Sequence, residues 1–195
     1  MIPLHDDNPT DIMPVVTVGL IALCVVAFLW QLSLGQRGYE AAVYSLGVIP
    51  AVLLDKVELA PELVIVPAGA TLFTSMFLHG GIFHLAGNML YLWIFGNNVE
   101  DSMGHVRFTI FYLLCGVAAA FGQVLQDPDS QIPMIGASGA ISGVLGAYLL
   151  LYPRARVLVL IPLGFIAQLV RMPAGWVLGL WFVLQIGSSV LAGNQ

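Results

Sequence analysis

The stretch GASGAISGVLGAYLLLY, residues 136–152, decides how this chain is read. It sets Ser138 among Gly136, Gly139 and Gly143 and then runs on, uncharged, into an apolar segment. Such a run is expected to form a helix in a membrane, because a bilayer core offers backbone groups no water to bond with. A serine at the start of that helix attracts attention for its chemistry. Its hydroxyl is a weak nucleophile unless a base takes the proton and donors hold the resulting oxyanion.

The rest of the chain supports the membrane reading. Of its 195 residues 59% are hydrophobic and 9% charged, against roughly 25% charged in an average soluble domain. Apolar runs at about Val15 to Leu34, Ile82 to Phe95, Phe108 to Leu125, Ala137 to Tyr152 and Gly175 to Leu191 approach the roughly 17–25 residues a spanning helix needs. The second and fourth look short because polar and small residues extend them. The expected fold class is all-α: a polytopic membrane helical bundle with about five transmembrane helices, in a single domain over residues 1–195. The first run is too long for a signal-peptide core and reads as a retained anchor. Cys24 and Cys115 fall inside apolar runs, where a thiol behaves as a small hydrophobe. A net charge of −5 argues against nucleic acid as a partner.

Two segments lie between the spans. The long connection from Gly35 to His79 mixes apolar residues such as Leu53, Leu54, Val64 and Ile65 with Pro50, Pro61 and Pro67, and is expected to rest partly in the headgroup region. Val157 to Val170, interrupted by Pro162, reads as a similar interfacial piece or as the early part of the fifth span. Arg107, Arg154, Arg156 and Arg171 fall on one side of the bilayer, whereas Arg37 and Lys56 fall on the other. Positive-inside bias then makes the N-terminus cytoplasmic and, with five crossings, leaves Gln195 outside.

Polar residues inside the spans carry the functional signal. The second span begins HGGIFHLAGN, residues 79–88. His84 and Asn88 are four apart and share a helical face, and His79 sits about 140° around the helix, nearer its outer end. Such residues face a bundle interior or a water cavity. On the residues alone, His84 and Asn88 also fit interhelical hydrogen-bonding glue, and Gly139 and Gly143 fit close helix packing. Ser142, one turn beyond Ser138, is the weaker nucleophile candidate, because a serine within a membrane helix commonly bonds the carbonyl four residues back. H-x4-H lacks the Glu of a zincin helix, so neither a metal nor a cofactor is expected. A transporter would lead one to look for repeated halves, and the sequence contains no internal repeat.

HGGIFHLAGN followed by GASGAISG, on the second and fourth spans, resembles the rhomboid family of intramembrane serine proteases. The likeness runs along nearly the whole chain, including Val99-Glu100-Asp101-Ser102-Met103-Gly104 and Tyr152-Pro153-Arg154. It implies Ser138 as catalytic nucleophile, His84 and Asn88 as oxyanion donors beside the Ser138 backbone N–H, and Gly136, Gly139 and His79 as supporting motif residues. It further implies substrates that are transmembrane helices of other membrane proteins, favoured where small residues surround the scissile bond, with the lipid bilayer as surroundings. The family's base is a histidine on a sixth span. Here the histidines are His5, His79, His84 and His105, and neither His5 in the polar tail nor His105 in a loop is expected to reach Ser138. Without a base the serine stays a protonated alcohol, so the chain by itself is expected to be inactive. Two readings follow: a C-terminally truncated part of a six-span protease, or a five-span rhomboid-like protein that binds transmembrane helices without cutting them.

Overall fold

The computed structural model describes residues 1–163 and 166–192; Gln195, expected on the outer face, lies outside them. Helices form at all five expected places: α1 (Val15–Ser33), α5 (Ile82–Met103), α6 (His105–Gln126), α7 (Ser138–Leu151) and α8 (Ala174–Ala192). Among the described residues α1 and α6 are long and apolar enough to cross a bilayer by length and composition alone. The connection after α1 is more ordered than its composition suggests. It contains α2 (Gly35–Leu46), the short α3 (Pro50–Leu53) and α4 (Thr71–Thr74), and single 3-10 turns at Pro61–Leu63, Ala68–Ala70 and Ser75–Phe77.

The helices present apolar residues outward. Leu23, Val26 and Leu29 on α1, Ile110 and Leu114 on α6, and Val183 and Leu184 on α8 are all exposed, a surface suited to lipid and costly in water. By contrast Ala140, Ile141, Val144, Leu145 and Tyr148 of α7 are fully buried, so α7 forms part of the bundle's centre. Its glycines permit this. A Cβ on Gly139 would stand 2.5 Å from the Cβ of Ala119, one on Gly143 would collide with Cys115, and Gly116 of α6 faces Ala140 in return. The G-x-x-x-G spacing thus brings two antiparallel backbones together, as small residues do in membrane bundles. At 14 residues α7 is about 21 Å long, shorter than a hydrocarbon core of about 30 Å.

The V-E-D-S-M-G segment closes one end of the bundle. Gly104, at φ +77°, forms the whole joint between α5 and α6, using left-handed backbone open to glycine at little strain. The first N–H groups of a helix have no partner within it, and Glu100 supplies one for α1. Its buried carboxylate accepts from Val16 N–H (2.9 Å), Thr17 N–H (2.8 Å) and the Thr17 hydroxyl (2.6 Å). His105 sits 2.6 Å from the same carboxylate. It is the first residue of α6 rather than part of a loop.

The same end holds an element that the helical expectation omitted. Val157 to Val170 is neither an interfacial helix nor the start of the fifth span: β2 (Arg156–Leu163) pairs antiparallel with β3 (Ile166–Pro173), and β1 (Ile2–Asp6) pairs antiparallel with β2. His5 therefore lies in a strand, not in a polar tail. Pro162 removes a backbone donor and clashes within a helix, while Val157, Val159 and Ile161 have the β-branched stiffness that suits a strand. Val157 and Val159 are fully buried against the bundle, together with Pro3 of β1. Past β1, Asn8 donates to both Asp6 (3.0 Å) and the Tyr148 hydroxyl (2.6 Å), and Tyr148 donates to Asp6 (2.6 Å). Burial is the main influence on Asp6 and holds its carboxyl above the usual carboxylate range.

Candidate active site

Ser138 is the first residue of α7, half-buried, and reached through a segment fixed on both sides. Met134 and Val48 exchange backbone hydrogen bonds of 2.8 and 3.0 Å, and Gly136 N–H donates to the Ser75 carbonyl at 2.9 Å. The long connection after α1 thereby supports the approach to the serine. Gly136 has φ +125°, a conformation that side chains disfavour. A Cβ there would lie 2.7 Å from Cε1 and 2.9 Å from Nε2 of His84. Gly136 is what allows the His84 ring to rest against the backbone two residues before Ser138.

The hydrogen bond to that ring assigns its tautomer. Gly80 N–H donates to His84 Nδ1 at 3.3 Å, so Nδ1 carries the lone pair and, in the neutral ring, Nε2 carries the proton. The nitrogen nearer Gly136 is a donor. One turn along the same face, Asn88 is 1% exposed, and neither atom of its amide has a partner among the described residues. A buried unpaired amide is unfavourable by about 1–3 kcal/mol, the kind of deficit a bound oxyanion or water removes.

His79 is placed differently from the helical expectation. It precedes α5 instead of sitting on a separate face of it, and its ring meets that of His84 edge to face, with centroids 5.2 Å apart. Its backbone is held by three bonds. His79 N–H donates to Gln31 Oε1 (3.1 Å), and its carbonyl accepts from Gln31 Nε2 (3.4 Å) and the Tyr39 hydroxyl (2.8 Å). Gln31 is fully buried in an otherwise apolar stretch of α1, and it anchors the loop from which His84 is launched.

The site also contains a residue that sequence reasoning missed. Gln185 of α8 donates from Nε2 to Ser138 Oγ at 3.0 Å. One turn back, the Trp181 indole N–H donates to Ser142 Oγ at 3.4 Å. The pairs 181 with 142 and 185 with 138 follow the register of two antiparallel helices. A lone glutamine in W-F-V-L-Q-I-G was the available signal, since polar residues inside spans mark functional positions. Ser142 is thus occupied by an indole donor. A cavity of about 60 Å³ opens beside Ser138, lined by Ser75, Met76, Gly116, Gln123, Gly136 and Gly139 among others. It has room for water or a small side chain.

Comparison with known proteins agrees with this arrangement of motifs. The profile of the Rhomboid domain matches residues 68–195. The chain belongs to the rhomboid family. Rhomboid protease GluP of Bacillus subtilis is 45% identical over 78 residues, which is 40% of this chain and 15% of that relative. RHOMBOID-like protein 5 of Arabidopsis thaliana is 36% identical over 78 residues, 40% of this chain and 25% of the relative. The mitochondrial Rhomboid protein 1 of Saccharomyces cerevisiae is 33% identical over 91 residues, 45% of this chain and 26% of the relative. The matched segment therefore spans about a quarter or less of these relatives' length. As a rhomboid with apolar, outward-facing helices, the chain is an integral membrane protein, and its family includes serine intramembrane proteases.

Proposed function

We propose that this rhomboid domain carries the nucleophile and oxyanion site of an intramembrane serine endopeptidase that cleaves transmembrane helices of other membrane proteins. Ser138 Oγ attacks the scissile carbonyl. His84 Nε2–H, the Asn88 amide and the Ser138 backbone N–H receive the charge that develops on the carbonyl oxygen, and the small cavity receives a small side chain of the substrate. The chain crosses the bilayer several times as one domain, with its N-terminus in the cytoplasm.

The observation that carries this reading is the state of His84. Its Nδ1 accepts a backbone N–H, which makes Nε2 a donor beside the segment leading into Ser138, and a donor is what an oxyanion hole requires. The same bond makes His84 a poor base, and His105 bonds Glu100 at the joint between α5 and α6. On this reading the proton from Ser138 passes to a base other than His84 and His105, and without such a base these residues do not cut.

The test is cleavage of a single-span reporter by the full-length protein in phosphatidylcholine vesicles. Ser138→Ala is expected to abolish cleavage, and His84→Ala and Asn88→Ala to lower kcat by about 10²–10³, as loss of an oxyanion donor does elsewhere. Undiminished cleavage by Ser138→Ala refutes the reading. A folded full-length protein that binds the reporter and never cuts it leaves the alternative, a rhomboid-like protein that binds transmembrane helices.

A further inference from the structure

We propose that Gln185 is a positioning residue for the nucleophile, holding Ser138 Oγ through its side-chain amide and so making α8 part of the catalytic geometry. This rests on the assignment of Ser138 as nucleophile. The contact is a 3.0 Å hydrogen bond in which Nε2–H donates and Oγ accepts. An amide is too weakly basic to take the serine proton, so its effect is directional. With one lone pair of Oγ engaged by α8, the hydroxyl hydrogen turns away from α8 and remains available to a base on another side.

The same donor matters more as reaction proceeds. When the proton leaves, Oγ gains negative charge, and a hydrogen bond to a charged acceptor is shorter and roughly twice as strong as a neutral one. A donor to the charged form also favours that form. Both effects raise the fraction of reactive serine without touching substrate. Both also depend on α8 staying against α7, which the Trp181 contact to Ser142 secures one turn away. Any displacement of α8 on this flank withdraws the amide from Oγ, so nucleophile alignment is sensitive to the position of one helix.

The experiment compares Gln185→Leu, Gln185→Glu and Trp181→Phe in the full-length protein with the vesicle reporter, from about pH 5 to about pH 9. Q185L keeps the bulk and removes the donor. Its kcat is expected to fall about 10–100-fold, the range of one hydrogen bond to a charged group, with KM changed less than threefold. Q185E supplies the signature a merely structural role does not give. Its protonated carboxyl donates to Oγ whereas its carboxylate cannot, so its activity relative to wild type rises as pH falls. W181F is expected to keep the wild-type pH profile. A Q185L kcat within threefold of wild type, or a Q185E to wild-type ratio that is flat with pH, overturns the proposal. The pH trend of the Q185E to wild-type ratio is independent of Q185L and decides the matter even if Q185L folds poorly. If Ser138→Ala remains active, the nucleophile assignment has failed instead, so the two failures are distinguishable.

Discussion

Adding a single methyl group at Gly136 is expected to disable the site as well as destabilise the fold. In Gly136→Ala the new Cβ would fall 2.7 Å from His84 Cε1 and 2.9 Å from Nε2, whereas carbon contacts are favourable at about 3.5–4.0 Å. The ring must retreat by about 1 Å. Its own anchor, the 3.3 Å bond from Gly80, is too long to resist. A misplacement of that size in a catalytic group lowers turnover by about 10²-fold. Stability falls as well: left-handed backbone at a non-glycine residue costs about 1–2 kcal/mol and overpacking about 1–3 kcal/mol, for a sum of about 2–5 kcal/mol. The assay is reporter cleavage per folded molecule, with thermal unfolding in detergent alongside. Gly143→Ala is the control, because its Cβ meets Cys115 and not His84, so it should lose stability and keep per-molecule kcat within about fivefold. If Gly136→Ala retains kcat within threefold of wild type, the close approach of His84 to Gly136 has no catalytic meaning.

Two further outcomes concern the end of the bundle that holds the sheet. Glu100→Ala leaves Val16 N–H, Thr17 N–H and the Thr17 hydroxyl without their shared acceptor, and is expected to lower unfolding stability by about 1–3 kcal/mol; chemical denaturation in mixed micelles measures it, and a loss below about 0.5 kcal/mol would contradict the cap. Asp6 has its carboxyl raised by burial, so the folded state binds its proton at pH values where the unfolded chain has released it. Stability from this group is fully present below the ordinary carboxylate range and is lost as pH rises through the folded value. Asp6→Asn should flatten that part of the stability–pH curve, and an unchanged curve would remove Asp6 as its source.

Much of the site was legible because its signals are local. His84 and Asn88 are one turn apart, and Ser138 sits where a glycine cluster meets an apolar run, so helical spacing drew attention to them, while interhelical glue fitted the same spacing and their catalytic roles came from the family resemblance. The helices fell where the apolar runs did, since bilayer crossing requires length and apolarity that a sequence displays directly. The hairpin at Arg156–Pro173 was not legible. Its apolar residues occupy both faces near the bundle, and the third strand comes from residues 2–6 at the other end of the chain. Without that partner, V-L-V-L-I has no alternation to distinguish a strand from a buried helix.

The sequence by itself determined the membrane class, the helices and the residue types that could serve an acyl-transfer site. Those follow from composition and from periodicities shorter than one helical turn or two. Only the tertiary structure decided which atoms meet. The Gly80 N–H makes His84 a donor, the conformation of Gly136 admits its ring, Glu100 completes the start of α1 from 84 residues away in sequence, and Gln185 reaches Ser138 across 47. These contacts depend on the angles and separations at which helices pack. Short-range spacing does not carry that information, because it becomes defined only when small residues and buried polar groups bring the helices together.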